Sequence, residues 1–470
     1  MSKWTTGILA DYVGDMAQTR LDAAIAGAAA NVLIDLIGCA AGGFDSAAAE
    51  ATRQTVVRLY ADGPAAIWFG STHRRAAGAA MANSTAASAL DLDDGHRRAG
   101  GHPGAAIVPT VLAVGPTAGG SPGASGRELI AAIAAGYEVA VRIAAARDFK
   151  RLDTLSTGRW CAYGTVAAAG LLGRDDPVTL AQAFAIAGVL SPGLSAAGYS
   201  TVMGNQAKEG IPWAVMTGLT ALEMARRGFT GPLDILDHPD YFDAAAITAG
   251  LGTGSALQSV YFKPYACCRW IHSALDAIIN LVKDHHLAAD DIQTVDVFTF
   301  ERTLRLNNYA DPATLEGAQY SLPFCLAVAA VGGAEALMPF SPDWLQRPDI
   351  VALARRVNLH IDPELDAGFP AETGARVCLQ TAGGVLEKTV RHPLGDPANP
   401  IDRIRLTTKF KKLSAGVISP QDQLDLLALI DRLADLADIA QIMDCLRGSD
   451  AGDAPLRRSN KDNCTKFQLK

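Results

Sequence analysis

Apolar positions from Leu9 to about Leu257 recur at three- and four-residue spacing, the period of amphipathic and buried helices. The clearest predicted helices are Ala23 to Ala41, ending in Gly42-Gly43, then Glu128 to Ala146, Thr165 to Leu172, Leu180 to Val189 and Trp213 to Arg227. Their many Ala and Gly residues suit close helix–helix packing. The pattern changes near Gly254. Thr294 to Phe300 alternates and predicts a strand, and Arg376–Gln380 and Val385–Val390 flank Thr381-Ala382-Gly383-Gly384, a hairpin signal. Leu322 to Val331 and Ile350 to Val357 between them read as helices, and the chain turns helical again from Gln421 to Leu446. The expected fold is mostly α: a large all-helical domain built from both chain ends (residues 1–260 and 400–447), with a smaller α+β lid domain (261–399) inserted into it. Residues 448–470 are polar and read as a disordered tail.

Length and composition narrow the function classes. A chain of 470 residues is too long for one core. A formal charge of −8, with no long Lys/Arg block, argues against nucleic acid as a partner. The first residues have no apolar signal-like run, and Leu129 to Ala146, read as the most apolar stretch, carries Glu138 and Arg142 and falls short of a membrane span. The eight cysteines are scattered without a CxxC pair, as expected of reduced, core-packed thiols in a cytoplasmic protein. There is no GxxxxGK[ST], no strand-linked GxGxxG and no nucleophile elbow, since Gly193-Leu194-Ser195-Ala196-Ala197-Gly198 lacks the elbow spacing.

The chemistry concentrates in Asp91 to Gly104, where Asp91, Asp93, Asp94, His96, Arg97, Arg98 and His102 sit between two buried-looking helical runs. Such charge is costly unless it is paired or lies in a cleft. On a helix Asp91 and Asp94 would share a face and Asp93 would point elsewhere. Gly100-Gly101 and Pro103 constrain the loop carrying His102, which suits a general acid or base. No EF-hand spacing and no third histidine accompany the cluster, so no metal is expected. A second group, Lys263-Pro264-Tyr265-Ala266-Cys267-Cys268-Arg269-Trp270-Ile271-His272, sits at the change of pattern. Lys263 can hold a carboxylate or act as a base, Arg269 can grip a carboxylate, and His272 and Lys263 serve structure equally well on local evidence. A third, Met203 to Gly210, offers Lys208, which by itself reads as a loop lysine.

Taken together these residues resemble the MmgE/PrpD family of 2-methylcitrate dehydratases, cis-aconitate decarboxylases and iminodisuccinate epimerases. The resemblance runs over residues 5–445 through Ala89-Leu90-Asp91-Leu92-Asp93-Asp94, Gly101-His102-Pro103-Gly104, Gly228-Phe229-Thr230-Gly231-Pro232, Lys263-Pro264-Tyr265, Cys268-Arg269-Trp270, Gln319-Tyr320-Ser321-Leu322-Pro323 and Gly395-Asp396-Pro397-Ala398-Asn399-Pro400. It implies a helical domain with a lid, a homodimer, a small di- or tricarboxylate substrate and no organic cofactor. It also implies Asp91, His102 and Lys263 as catalytic residues, with Lys208 matching a family lysine to within one position. Arg269, His272, Asp94 and His96 are then expected to bind substrate. The chain departs from the decarboxylase pattern at Gly95 (Thr there), Leu155 and Cys268 (both imidazoles there) and Phe324 (Tyr there). Each lost hydrogen bond to a charged group is worth roughly 1.5–3 kcal/mol. A hydro-lyase like 2-methylcitrate dehydratase is therefore expected before a decarboxylase. An epimerase of an iminodisuccinate-like substrate is one alternative, since the Asp-to-His spacing lies closer to that branch; a carboxylate-binding member without activity is another.

Overall fold

The helical blocks form where the apolar period placed them, except that the run read as Gln421–Leu446 is two helices, Pro420–Asp431 and Ala440–Cys445, and side-chain caps fix some of their starts. In the computed structural model, which describes residues 4–19, 22–118, 123–149, 151–152, 154–192 and 204–448, the Asp22 carboxylate caps the helix Ala23–Gly43. Ser125 and Glu128 form a reciprocal capping box on Gly126–Ala145. That helix packs on Cys161–Gly173 through Gly136 and Gly164, where a Cβ on Gly164 would lie 2.7 Å from the Gly136 carbonyl. Only glycine permits so close an approach. Gly193-Leu194-Ser195, Met203 and the predicted tail from Ser449 onward lie outside the described residues.

Ala23–Gly43, rather than the 129–146 run, is the one helix among the described residues long and apolar enough to cross a bilayer; most of it is buried inside the molecule. The seven described cysteines are unpaired.

Two hydrophobic cores result. The first joins Leu9, Leu33, Ile107, Ile133, Val166 and Phe184 with Leu406, Phe410, Leu426 and Ile442, so helices from both ends of the chain share it. The second is built almost entirely from residues 265–379, with Cys39, Leu92 and Leu413 closing it from the helical side. At its centre is a four-stranded sheet ordered Val357–Ile361, Thr294–Thr299, Ala375–Thr381, Gly384–Val390; the first pair is parallel and the others antiparallel. Val295, Val297, Val377 and Leu379 alternate inward toward His272–Asp284. The hairpin lies where it was predicted. The strand Val357–Ile361 was not expected: the helix read as Ile350–Val357 is Pro348–Ala354, and the chain then enters the sheet.

One small ladder ties the two cores together. Gly95 pairs with Tyr261 and His96 with Val260, antiparallel. This sets the charged turn after Ala76–Ser88 directly over Lys263. A Cβ at Gly95 would lie 2.3 Å from the Tyr261 ring, so the glycine that departs from the decarboxylase pattern is required by this tyrosine.

Candidate active site

The helix Ala76–Ser88 stops just before Asp91, whose φ of 50° turns the chain out of the helix. The 91–94 stretch is consequently not helical, and the expected face sharing is corrected: Asp91 and Asp93 face one centre and Asp94 faces away. A tight return follows, with His96 N–H donating to the Gly101 carbonyl (2.9 Å) and Gly100 at φ 65°. The His102 N–H then bonds Thr157 Oγ1 at 3.1 Å, immediately before the helix Gly104–Val114.

The His102 ring is held from three sides. Nδ1 lies 3.0 Å from the Asp94 carbonyl oxygen and 3.3 Å from Asp93 Oδ2, and Nε2 lies 3.6 Å from Asp91 Oδ1. A backbone carbonyl accepts only, so Nδ1 carries a hydrogen and Nε2 is the basic nitrogen of the neutral ring. Burial and Lys263 oppose its charging, but Asp93 and Glu209 outweigh them and hold the imidazole above its ordinary value.

Asp91 Oδ1 gathers the cations. Lys263 Nζ lies 2.8 Å from it and Lys208 Nζ 3.1 Å. Burial works against the Asp91 charge, yet Lys208, Lys263 and His102 together hold its carboxyl far below the usual carboxylate range. Lys263 is fully buried and its ammonium is kept charged, above its ordinary range, mainly by Asp91 against the cost of burial. Lys208 differs: it reaches the cavity, and its Nζ also contacts the Tyr320 hydroxyl at 3.2 Å. Lys208 and Glu209 have φ of 43° and 55°, so with Asp91 three left-handed non-glycine residues converge here. Such backbone is sparsely populated and clusters at functional sites. Glu209 Oε2 accepts from the Thr157 N–H (3.0 Å) and hydroxyl (2.7 Å), fastening the Lys208 loop to the residue that positions His102.

A cavity of about 380 Å³ opens over these groups, lined among others by His96, Arg97, His102, Lys208, Glu209, Tyr261, Arg269 and Tyr320. His96 faces it as a neutral ring, its pKa pushed down to about 3 by burial and Arg98. Arg269 lines it too, but its fork is engaged by the Leu394 (3.1 Å) and Pro393 (3.4 Å) carbonyls and Asp396, and it lies over the Tyr261 ring. Two expected substrate ligands are corrected by position. Asp94 does not line the cavity: Oδ1 accepts from Gly104 N–H (3.1 Å) and Oδ2 from the Tyr137 hydroxyl (2.6 Å), and burial pushes its carboxyl up to about 8. His272 lies behind the wall, its nitrogens 3.2 Å from the Cys267 carbonyl and 3.3 Å from Arg269. Burial holds it neutral, so it braces Arg269.

Asp93, Thr157, Glu209 and Tyr320 belong to the centre without having been predicted. Phe324, one departure from the decarboxylase pattern, is buried in the second core against Phe340, whereas Leu155 and Cys268 do line the cavity. Asp91, Asp93 and His102 each offer one ligand atom within 4.8 Å of the others, the count a metal ion would need. Two ammonium groups already sit on the Asp91 oxygen, so the donor set does not fit a further cation.

Comparison with known proteins matches this architecture in two parts: the MmgE/PrpD N-terminal domain over residues 7–250 and the C-terminal domain over 265–435. Cis-aconitate decarboxylase of Aspergillus terreus is 27% identical over 401 residues, covering 78% of this chain and 81% of that protein. The cis-aconitate decarboxylase-like protein oryM of Aspergillus oryzae is 24% identical over 94% of this chain and 97% of its own length, and the human cis-aconitate decarboxylase is 25% identical over 79% of each. With a paired domain match spanning both cores and the motifs around His102 and Lys263 in place, the chain belongs to the MmgE/PrpD family.

Proposed function

We propose that the protein is a lyase that needs no cofactor and acts on a di- or tricarboxylate, moving a proton at a carbon next to a carboxylate. One observation carries this: His102 faces the cavity with Nδ1–H committed to the Asp94 carbonyl, leaving Nε2 basic, beside an ionised Asp91 that shares two ammonium groups. In the dehydration direction Nε2 takes the proton, the electron pair forms the alkene, and the C–O bond breaks. Asp93 stabilises the imidazolium, and the substrate carboxylate with its developing charge is met by Lys208. The leaving hydroxide takes a proton from the Lys208–Tyr320 pair and departs as water. Lys263 is a positioning residue that sets Asp91. The 261–399 unit serves as the lid, closing over the cleft to exclude water.

Decarboxylation is the second reading, favoured by the names of the relatives. Dehydration is preferred because Leu155 and Cys268 offer the cavity no imidazole. The test is solvent-deuterium incorporation into polycarboxylate candidates. An alkene absorbing in the near ultraviolet marks dehydration, released carbon dioxide marks decarboxylation, and exchange alone marks an epimerase. A thermal shift without exchange marks a binding protein and overturns the proposal. His102→Gln is expected to lose about 10²–10⁴-fold in kcat with the fold intact; wild-type turnover would remove His102 from the mechanism. The homodimer implied by the family resemblance and the cytoplasmic location read from the scattered cysteines are proposals too, the former tested by the mass in solution.

A further inference from the structure

The cavity over His102 is lined by apolar as well as charged side chains. Its 380 Å³ falls in the range of roughly 300–1,000 Å³ that holds drug-sized ligands. On the helical side Phe149 and Leu155 meet over Gly100: a Cβ there would lie 3.2 Å from Leu155 Cδ1 and 3.5 Å from Phe149 Cζ. On the other side Trp270, Leu306, Phe369 and Pro370 line the same space. Trp270 and Phe369 meet edge to face with centroids 6.0 Å apart, and both pack on Phe300, which stacks on Phe369 at 4.8 Å. This aromatic wall is braced by its own contacts and needs no ligand to form. Apolar surface on both sides of an enclosed cleft gains when a ligand covers it, and a purely charged ligand cannot provide that cover.

We infer that the substrate is a carboxylate carrying an apolar alkyl or aryl substituent, its tail held between Phe149–Leu155 and Trp270–Phe369 while its charged head meets Lys208 and His102. The inference rests on the head site proposed above and adds the chemical class of the rest of the molecule. The competing account of the same residues is that they only keep the site dry, in which case tail length has no influence on binding.

Calorimetric titration of the full chain with succinate, methylsuccinate, butylsuccinate, hexylsuccinate and benzylsuccinate separates the two. Affinity is expected to rise along the alkyl series, by up to about fourfold per buried methylene, and to be at least about tenfold higher for the benzyl than for the methyl compound. Leu155→Asn is expected to flatten that slope. A flat or falling series in the wild-type protein, or binding by none of the five, overturns the inference. Lys208→Met distinguishes the two layers: an equal loss for every member supports both head and tail assignments. An unchanged affinity with the slope preserved removes the head assignment and leaves the apolar-tail preference standing.

Discussion

Two buried aspartates, Asp35 and Asp91, each hold lysine among the described residues, and they behave in opposite ways. Asp35, on Ala23–Gly43, meets Lys409, on Arg403–Ser414, with Nζ 2.6 Å from Oδ1; that ammonium also bonds the Leu92 carbonyl at 2.7 Å. Here burial dominates and pushes the Asp35 carboxyl upward, with Lys409 offsetting it only in part. Asp91 is as deeply buried, but two ammonium groups and an imidazole surround it, and its carboxyl moves downward. One carboxylate with one lysine makes a sealed brace. One carboxylate oxygen shared by two lysines and a histidine, beneath a cavity, makes a permanently ionised centre that orients its neighbours.

Breaking the Asp91–Lys263 pair on one side, and then each pair on both, sharpens that contrast. Lys263→Met is expected to destabilise the protein by about 3–5 kcal/mol in urea titration, because a fully buried charge partner is lost. The double variant Asp35→Leu/Lys409→Met comes next: removing both charges is expected to leave stability within about 1 kcal/mol of wild type and turnover within tenfold. Asp91→Leu/Lys263→Met, by contrast, is expected to abolish turnover whatever its stability. Equal activity in the two double variants would erase the distinction.

Asp93→Asn tests the imidazole. His102 accepts a proton only when neutral, so kcat/KM rises with pH through a value above the ordinary 6.5. Without the Asp93 charge that limb is expected to move to lower pH by at least about one unit. The sign for stability follows the raised value: the His102–Asp93 contribution is complete below 6.5, fades as pH rises through the folded value, and is absent in the variant. The smallest effect is expected for Asp94→Asn, below about 1 kcal/mol. A carboxyl pushed up to about 8 is mostly neutral at pH 7, and an amide can still accept from Gly104. Damage matching that of Asp91→Leu would place Asp94 back in the reacting centre.

The helices were legible because Ala and Leu at three- and four-residue spacing have few other ways to be buried. The hairpin was legible because alternation flanks a Gly-Gly turn. The parallel strand Val357–Ile361 was not, since it follows Pro348–Ala354 almost without a break and its burial is partial on both faces. In the site, His102, Asp91 and Lys208 could be found from clustered charge and family motif. Asp93 was missed because a helical period was extended past Asp91, whose left-handed backbone ends it. Thr157 and Glu209 became relevant only through a hydrogen bond between loops 52 residues apart, and Asp35 and Lys409 are separated by 374. Contacts of that span leave no local trace. The clue for Tyr320 was its place in the Gln319-Tyr320-Ser321 motif.

The bond from Lys409 to the Leu92 carbonyl bears on how the protein is made. A nascent chain that has emerged only through the second core already contains His102, Asp91, Lys208 and Lys263. It still lacks the ammonium that grips the turn from behind and neutralises Asp35, and the helices that complete the first core. Fragments ending before Arg403 lack both that grip and the helices that close the first core, so the turn bearing the reacting centre is left without its backing.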